Sequence, residues 1–155
     1  MNDIRNMTFY EFIIFKFRNI GPALSSITDV YFDDGPLLGI DSITNGPGTS
    51  FSNPATPANL PAGNNAIPPF VTTNNFSADS NSGPPGVMVN GVNPNEYVMI
   101  VFNLINGKML NDVLADLTDG DLRTGIHVQG YASGGSESFV NGTPIPEPAT
   151  MLLRY

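Results

Sequence analysis

Between Asn45 and Pro94 the chain reads NGPGTSFSNPATPANLPAGNNAIPPFVTTNNFSADSNSGPPGVMVNGVNP, crowded with proline, glycine and asparagine and almost without charge. Proline fixes φ and removes an amide donor, and glycine pays a high entropic cost for being ordered, so no long helix can run through this stretch. A structureless segment of such length is unusual inside a compact domain. Its spaced apolar residues, Phe51, Leu60, Ile67, Phe70 and Phe76, predict that it crosses the face of a sheet and is pinned there. The whole chain shares the texture, with 16 Gly and 14 Pro among 155 residues. Short strands joined by much loop are the architecture such a chain can support.

The flanking sequence supplies the strands. TFYEFIIFKF, near the N-terminus, is dense in aromatic and β-branched residues, and Phe15 and Phe17 alternate with Lys16 and Arg18 as on a half-buried strand. SSITDVYFDDG and LLGIDSIT read as two strands around the turn Asp33-Asp34-Gly35-Pro36. EYVMIVFNLI (96–105) is the most buried strand by composition. The period then changes: Met109, Leu110, Val113, Leu114 and Leu117 fall three and four apart, a short amphipathic helix stopped at Asp119-Gly120. LRTGIHVQGYA and SESFVNG complete the set. The expectation is a mostly β protein, an antiparallel, jelly-roll-like β-sandwich with one short helix and a long Gly/Pro/Asn-rich loop. Three regions are expected: an arm over residues 1–20 able to swap to a neighbour, a sandwich over 21–140, and a tail over 141–155.

Charge and composition remove several function classes. Six Lys and Arg face 14 Asp and Glu, a net charge of −8, which is the wrong sign for a nucleic-acid surface. Without cysteine there are no disulfides, thiol nucleophiles or cysteine zinc sites. No run approaches the length of a membrane helix, and no secretory leader is visible. His127 is the only histidine, and its place between Ile126 and Val128 puts it on the polar face of a strand. GGSES (134–138) lacks the Gly-x-Ser-x-Gly pattern of a nucleophile turn. The expectation is a protein that is not an enzyme.

Two sets of residues are candidate sites on chemistry alone. Asp116, Asp119 and Asp121 crowd the end of the helix and offer hard oxygen ligands for calcium, although turn and cap chemistry accounts for the same residues. Asn6, Asn75 and Asn141 open Asn-x-Ser/Thr triplets, the pattern of sugar attachment.

The C-terminal PIPEPATMLL resembles the start of the sorting tail of PEP-CTERM proteins, exported substrates of the exosortase system in polysaccharide-forming Gram-negative bacteria. Pro146, Glu147 and Pro148 match the motif, and Ala149 to Leu153 its usual continuation. The likeness extends, more loosely, back to about Asn19. In that family a membrane helix follows the motif, whereas Arg154-Tyr155 follow it here. The resemblance implies a secreted or cell-surface protein. In physical terms, the two prolines favour an extended strut leaving the domain.

Together these readings predict a non-enzymatic structural protein of the bacterial surface or matrix, self-assembling into filaments or layers. Strand addition is the expected mechanism, with Phe9, Phe12, Ile14, Phe15 and Phe17 on the assembling strand. The partner is then another copy, with exopolysaccharide as a second candidate. A carbohydrate-binding module is the alternative, with Tyr31, Tyr97 and Tyr131 as its aromatic platforms and calcium as a candidate cofactor.

Overall fold

The computed structural model describes residues 11–78, 81–82, 88–141 and 143–144. In chain order these form β1 (Phe12–Arg18), β2 (Ser26–Asp33), β3 (Leu38–Asn45), β4 (Phe51–Ser52), β5 (Asn74–Ala78), β6 (Asn81–Ser82) and β7 (Met88–Val89). Then come β8 (Tyr97–Leu104), α1 (Leu110–Asp119), β9 (Arg123–Gln129), β10 (Ser136–Val140) and β11 (Thr143–Pro144). A three-stranded sheet, ordered β1-β8-β3, faces a six-stranded sheet, ordered β11-β10-β9-β2-β5-β4, while β6 and β7 pair by themselves. Every strand pairing is antiparallel, and the architecture is a β-sandwich.

Alternation builds the core. β8 buries Val98, Ile100 and Phe102 completely, and β2 opposes them with Val30 and Phe32. Phe32 is the hub: its ring lies edge-on to Phe102 at 4.7 Å, Phe15 at 5.1 Å, and Phe17 and Phe76 at 6.0 Å. Edge-to-face rings at these separations add to the area they bury. β2 is buried on both faces because the proline-rich segment covers its outer side. β1 alternates without interruption, with Ile13, Phe15 and Phe17 half-buried against the core and Phe12, Ile14, Lys16 and Arg18 outward.

Three expectations change in the folded chain. β2 and β3 do not form a hairpin: one belongs to each sheet, so the Asp33–Pro36 turn carries the chain across the sandwich. Asp34 fixes that crossing by accepting the Leu38 amide at 2.9 Å, the Asn74 side-chain amide at 3.1 Å and the Thr73 hydroxyl. The proline-rich stretch is not one loop, because it contributes β4 and β5, and β5 lies inside the six-stranded sheet. Of its expected anchors, Phe51, Leu60, Phe70 and Phe76 are buried, but Ile67 is 93% exposed. Finally, β1 is paired with β8 of its own chain over its full length, Phe12 opposite Asn103 through Arg18 opposite Tyr97. The described part of the expected arm is therefore an integral strand, held by the burial of Phe15 and Phe17.

The helix is as expected in place and length. The Asp112 carboxylate accepts the Met109 amide at 2.7 Å, and Gly120, at φ 85°, supplies the left-handed residue that ends it. Its apolar stripe is wider than its footprint: Val113 is buried and Leu117 half-buried, while Leu110 and Leu114 are exposed. Among the described residues no helix is long and apolar enough to cross a membrane.

Candidate functional site

Two places concentrate chemistry or contact potential: the polar outer face of the six-stranded sheet and the free edge of β1.

The outer face is organised in rows by the strand register. Ser138 on β10 stands opposite His127 on β9, His127 opposite Asp29 on β2, Asp29 opposite Ser77 on β5, and Ser77 opposite Ser52 on β4. His127, Asp29 and Ser77 are all buried, so each polar group depends on its neighbours. The imidazole Nδ1 lies 3.0 Å from the Ser138 hydroxyl, the Thr28 hydroxyl donates to the Asp29 carboxylate at 2.7 Å, and Ser77 Oγ accepts the Thr56 amide at 3.3 Å. Burial pushes the Asp29 carboxyl up to about 6 despite the Thr28 bond, and burial lowers the His127 imidazole below its usual range. Serine, histidine and aspartate thus share a row. The Asp29 carboxylate, however, is engaged by the Thr28 hydroxyl.

The next row is roofed by the proline-rich segment. Tyr31, fully buried, stands between Gly125 and Asn75 and donates its hydroxyl to the Pro57 carbonyl at 2.9 Å. Gly125 has no room for a side chain, since an added Cβ would come within 2.8 Å of Leu60 and 3.3 Å of Phe70. Asn75 accepts the Ala55 amide at 2.6 Å and donates to the Ala58 carbonyl at 3.1 Å. At the far end Arg123 donates to the Pro68 and Pro69 carbonyls at 2.6 and 2.7 Å and pairs with Asp33 at 2.5 Å.

The expected site residues fall as follows. Asn75 is a half-buried strap-holder rather than a free amide, and Asn141 sits on an exposed turn with its Oδ1 accepting the Thr124 amide at 2.8 Å. Asn6, Phe9, Pro146, Glu147 and Pro148 lie outside the described residues. Among the described residues no group of three or more His, Cys, Asp or Glu side chains is placed to hold a metal ion, so Asp116, Asp119 and Asp121 are not brought together as a calcium site. Asp116 instead serves the helix end, its carbonyl accepting the Gly120 and Leu122 amides. Two of the proposed aromatic platforms are also occupied: Tyr31 is buried, and the Lys16 ammonium lies over the Tyr97 ring at 4.3 Å.

No known protein family, curated protein or solved structure matches this chain.

The second place is β1. It ends the three-stranded sheet, paired on one side with β8 and, among the described residues, with no strand on the other. Phe12 and Ile14 are 57% and 59% exposed on its outer face. Among the described residues, half of its amides and carbonyls therefore point outward without a partner strand, beside apolar side chains that water does not favour. The sequence marked Phe12, Ile14, Phe15 and Phe17 as one strand, and the structure divides them: Phe15 and Phe17 hold the strand to the core, and Phe12 and Ile14 face out. The polar row had no signature in the sequence, because its members lie on separate strands and only the register aligns them.

Proposed function

We propose that this chain is a non-enzymatic structural subunit that associates with further copies by strand addition at the outer edge of β1. One observation carries the reading: an aromatic-rich strand, fixed to its own core by Phe15 and Phe17, ends its sheet among the described residues, with no strand paired on its outer side and with Phe12 and Ile14 exposed beside it. Proteins that stay apart usually blunt such an edge with charge, proline or a covering segment. Lys16 and Arg18 do so over only the second half of β1. Backbone pairing from a neighbour would supply affinity, and the exposed apolar pair would supply contact area. The setting, the surface or extracellular matrix of a Gram-negative bacterium, is supported by the resemblance carried by Pro146, Glu147 and Pro148, and filaments or layers are the assemblies that repeated strand addition builds.

The test is sedimentation of the purified chain over a wide concentration range, beside a Phe12→Lys/Ile14→Lys variant. Both positions are exposed, so the variant keeps the core. The reading expects concentration-dependent association of the native chain, weakened at least tenfold in the variant. A native chain that stays monomeric throughout, or a variant that associates equally well, overturns it.

A further inference from the structure

The proline-rich segment that roofs Tyr31 carries an apolar tip. Ile67 is 93% exposed and Val71 62% exposed, and Pro68 and Pro69 between them are exposed as well. One such side chain would be ordinary, but adjoining ones make a patch. The tip is held at both ends. Ala66 and Phe70 are buried, and the Arg123 guanidinium donates to the Pro68 and Pro69 carbonyls at 2.6 and 2.7 Å. Proline fixes φ and brings no amide donor. Covering this surface therefore costs little ordering entropy and leaves neither carbonyl without a partner. A hole of matching character lies on the other face of the same sheet. Phe17, Ile126, Phe139 and Val140 line a groove of about 210 Å³ together with Thr124 and Asn141. Arg123, which holds the tip, and Thr124, which lines the groove, are consecutive on β9, where alternate side chains leave the strand on opposite faces.

We infer that the tip of one copy, residues 67–71, seats in this groove of a second copy, with the Ile67 side chain as the anchor. Size and charge both favour that occupant. Pockets for small molecules usually run to about 300–1,000 Å³ with convergent polar groups. This groove is smaller and mostly apolar, suited to one branched side chain and the proline ring beside it. Copies of a chain with net charge −8 repel one another, so they meet most easily where neither surface carries unbalanced charge. The sequence has no charged residue from 45 to 78, and the residues lining the groove are uncharged. The one guanidinium at the tip, that of Arg123, is paired with Asp33. Tip and groove are different patches, so the contact is heterologous, and its repetition joins copies into a ring or an open chain. The inference rests on the reading of this chain as self-associating, but it uses a surface separate from the outer edge of β1.

The native chain has no cysteine, so single cysteines report the contact directly. An Ile67→Cys chain is mixed with a Thr124→Cys chain under mild oxidation, and disulfide-linked pairs are counted. The mixture should cross-link at least tenfold faster than either variant alone, because a disulfide requires Cα atoms within about 7 Å. Sedimentation of a full-length Ile67→Asn variant supplies the second reading. The substitution is uncharged and its site is exposed, so the fold is kept, and association should weaken at least tenfold. A mixture that cross-links no faster than its components, or an Ile67→Asn chain that associates as well as the native one, overturns the inference. The Phe12→Lys/Ile14→Lys variant, run alongside, separates the two contacts. Weakening by Ile67→Asn alone keeps the tip contact and removes strand addition, and weakening by the β1 variant alone does the reverse. A native chain that stays monomeric at every concentration overturns both.

Discussion

Asp29 occupies a position where its charge is poorly tolerated. It stands in the middle of the polar row, buried, with one hydroxyl bond from Thr28 to offset the loss of water. Because its folded pKa is raised from 3.8 to about 6, the folded state holds the proton more tightly than the unfolded chain does. The contribution to stability is therefore most favourable below pH 3.8 and is lost as pH rises towards 6, by about 3 kcal/mol at 1.36 kcal/mol per pH unit. Burial of Asp34 raises its carboxyl too and acts in the same direction. His127, lowered by burial, acts in the opposite one: its contribution is lost as pH falls below about 6.5, where the unfolded imidazole takes up its proton. Asp29→Asn keeps an acceptor for Thr28 and removes only the titration. Urea unfolding should find this variant more stable than the native chain at pH 7, by up to about 3 kcal/mol, with the gap closing towards pH 4. A variant less stable at both pH values would show that the carboxylate has a partner worth more than its desolvation.

The proline-rich segment is held as an element by polar bonds to backbone groups as much as by its buried anchors. Arg123 is the chief of these: it reaches two consecutive carbonyls, pairs with Asp33, and lies 5.4 Å from the centre of the Phe70 ring. Hydrogen bonds from a charged donor contribute about 1.5–3 kcal/mol each, which is of the order needed to change the local opening of a strap at least tenfold. Arg123→Met should therefore speed cleavage after Phe70 by a chymotrypsin-type protease at least tenfold, with the melting of the sandwich changed much less. An unchanged cleavage rate would assign the hold to Leu60 and Phe70 in their places over Gly125. The segment's role as a cover over a sheet could be read from Phe51, Leu60, Phe70 and Phe76. That it also contributes β5 could not, because Asn74–Ala78 carries few apolar residues and becomes a strand through pairing with β2.

For the whole molecule, the decisive fact is that β1 belongs to its own sheet. It contributes Phe15 and Phe17 to the aromatic cluster, so it cannot be removed with the core intact. Deletion of residues 1–18 should therefore cost the cooperative thermal transition, since truncating even one buried phenylalanine costs about 3–5 kcal/mol and a domain has about 5–15 kcal/mol in all. A truncated chain that melts as sharply as the native one would show that the core does not depend on β1. The same placement gives the described residues their asymmetry, a three-stranded sheet over a six-stranded one.

The sequence by itself determined the class of structure. Alternating apolar residues in β1, β2 and β8, the change of period at Met109–Leu117 and the punctuation by glycine and proline are local properties, and they specify strands, a helix and turns without reference to the rest of the chain. Which strand lies beside which was decided only in the tertiary structure. The Asp33–Pro36 turn could close a hairpin or cross between sheets, and burial of Phe32 against Phe102 on the facing sheet selects the crossing. The row Ser138–His127–Asp29–Ser77 and the roof over Tyr31 both depend on register and on which strands become neighbours. Those follow from how the two apolar faces pack together, a balance of contacts between residues far apart in the chain.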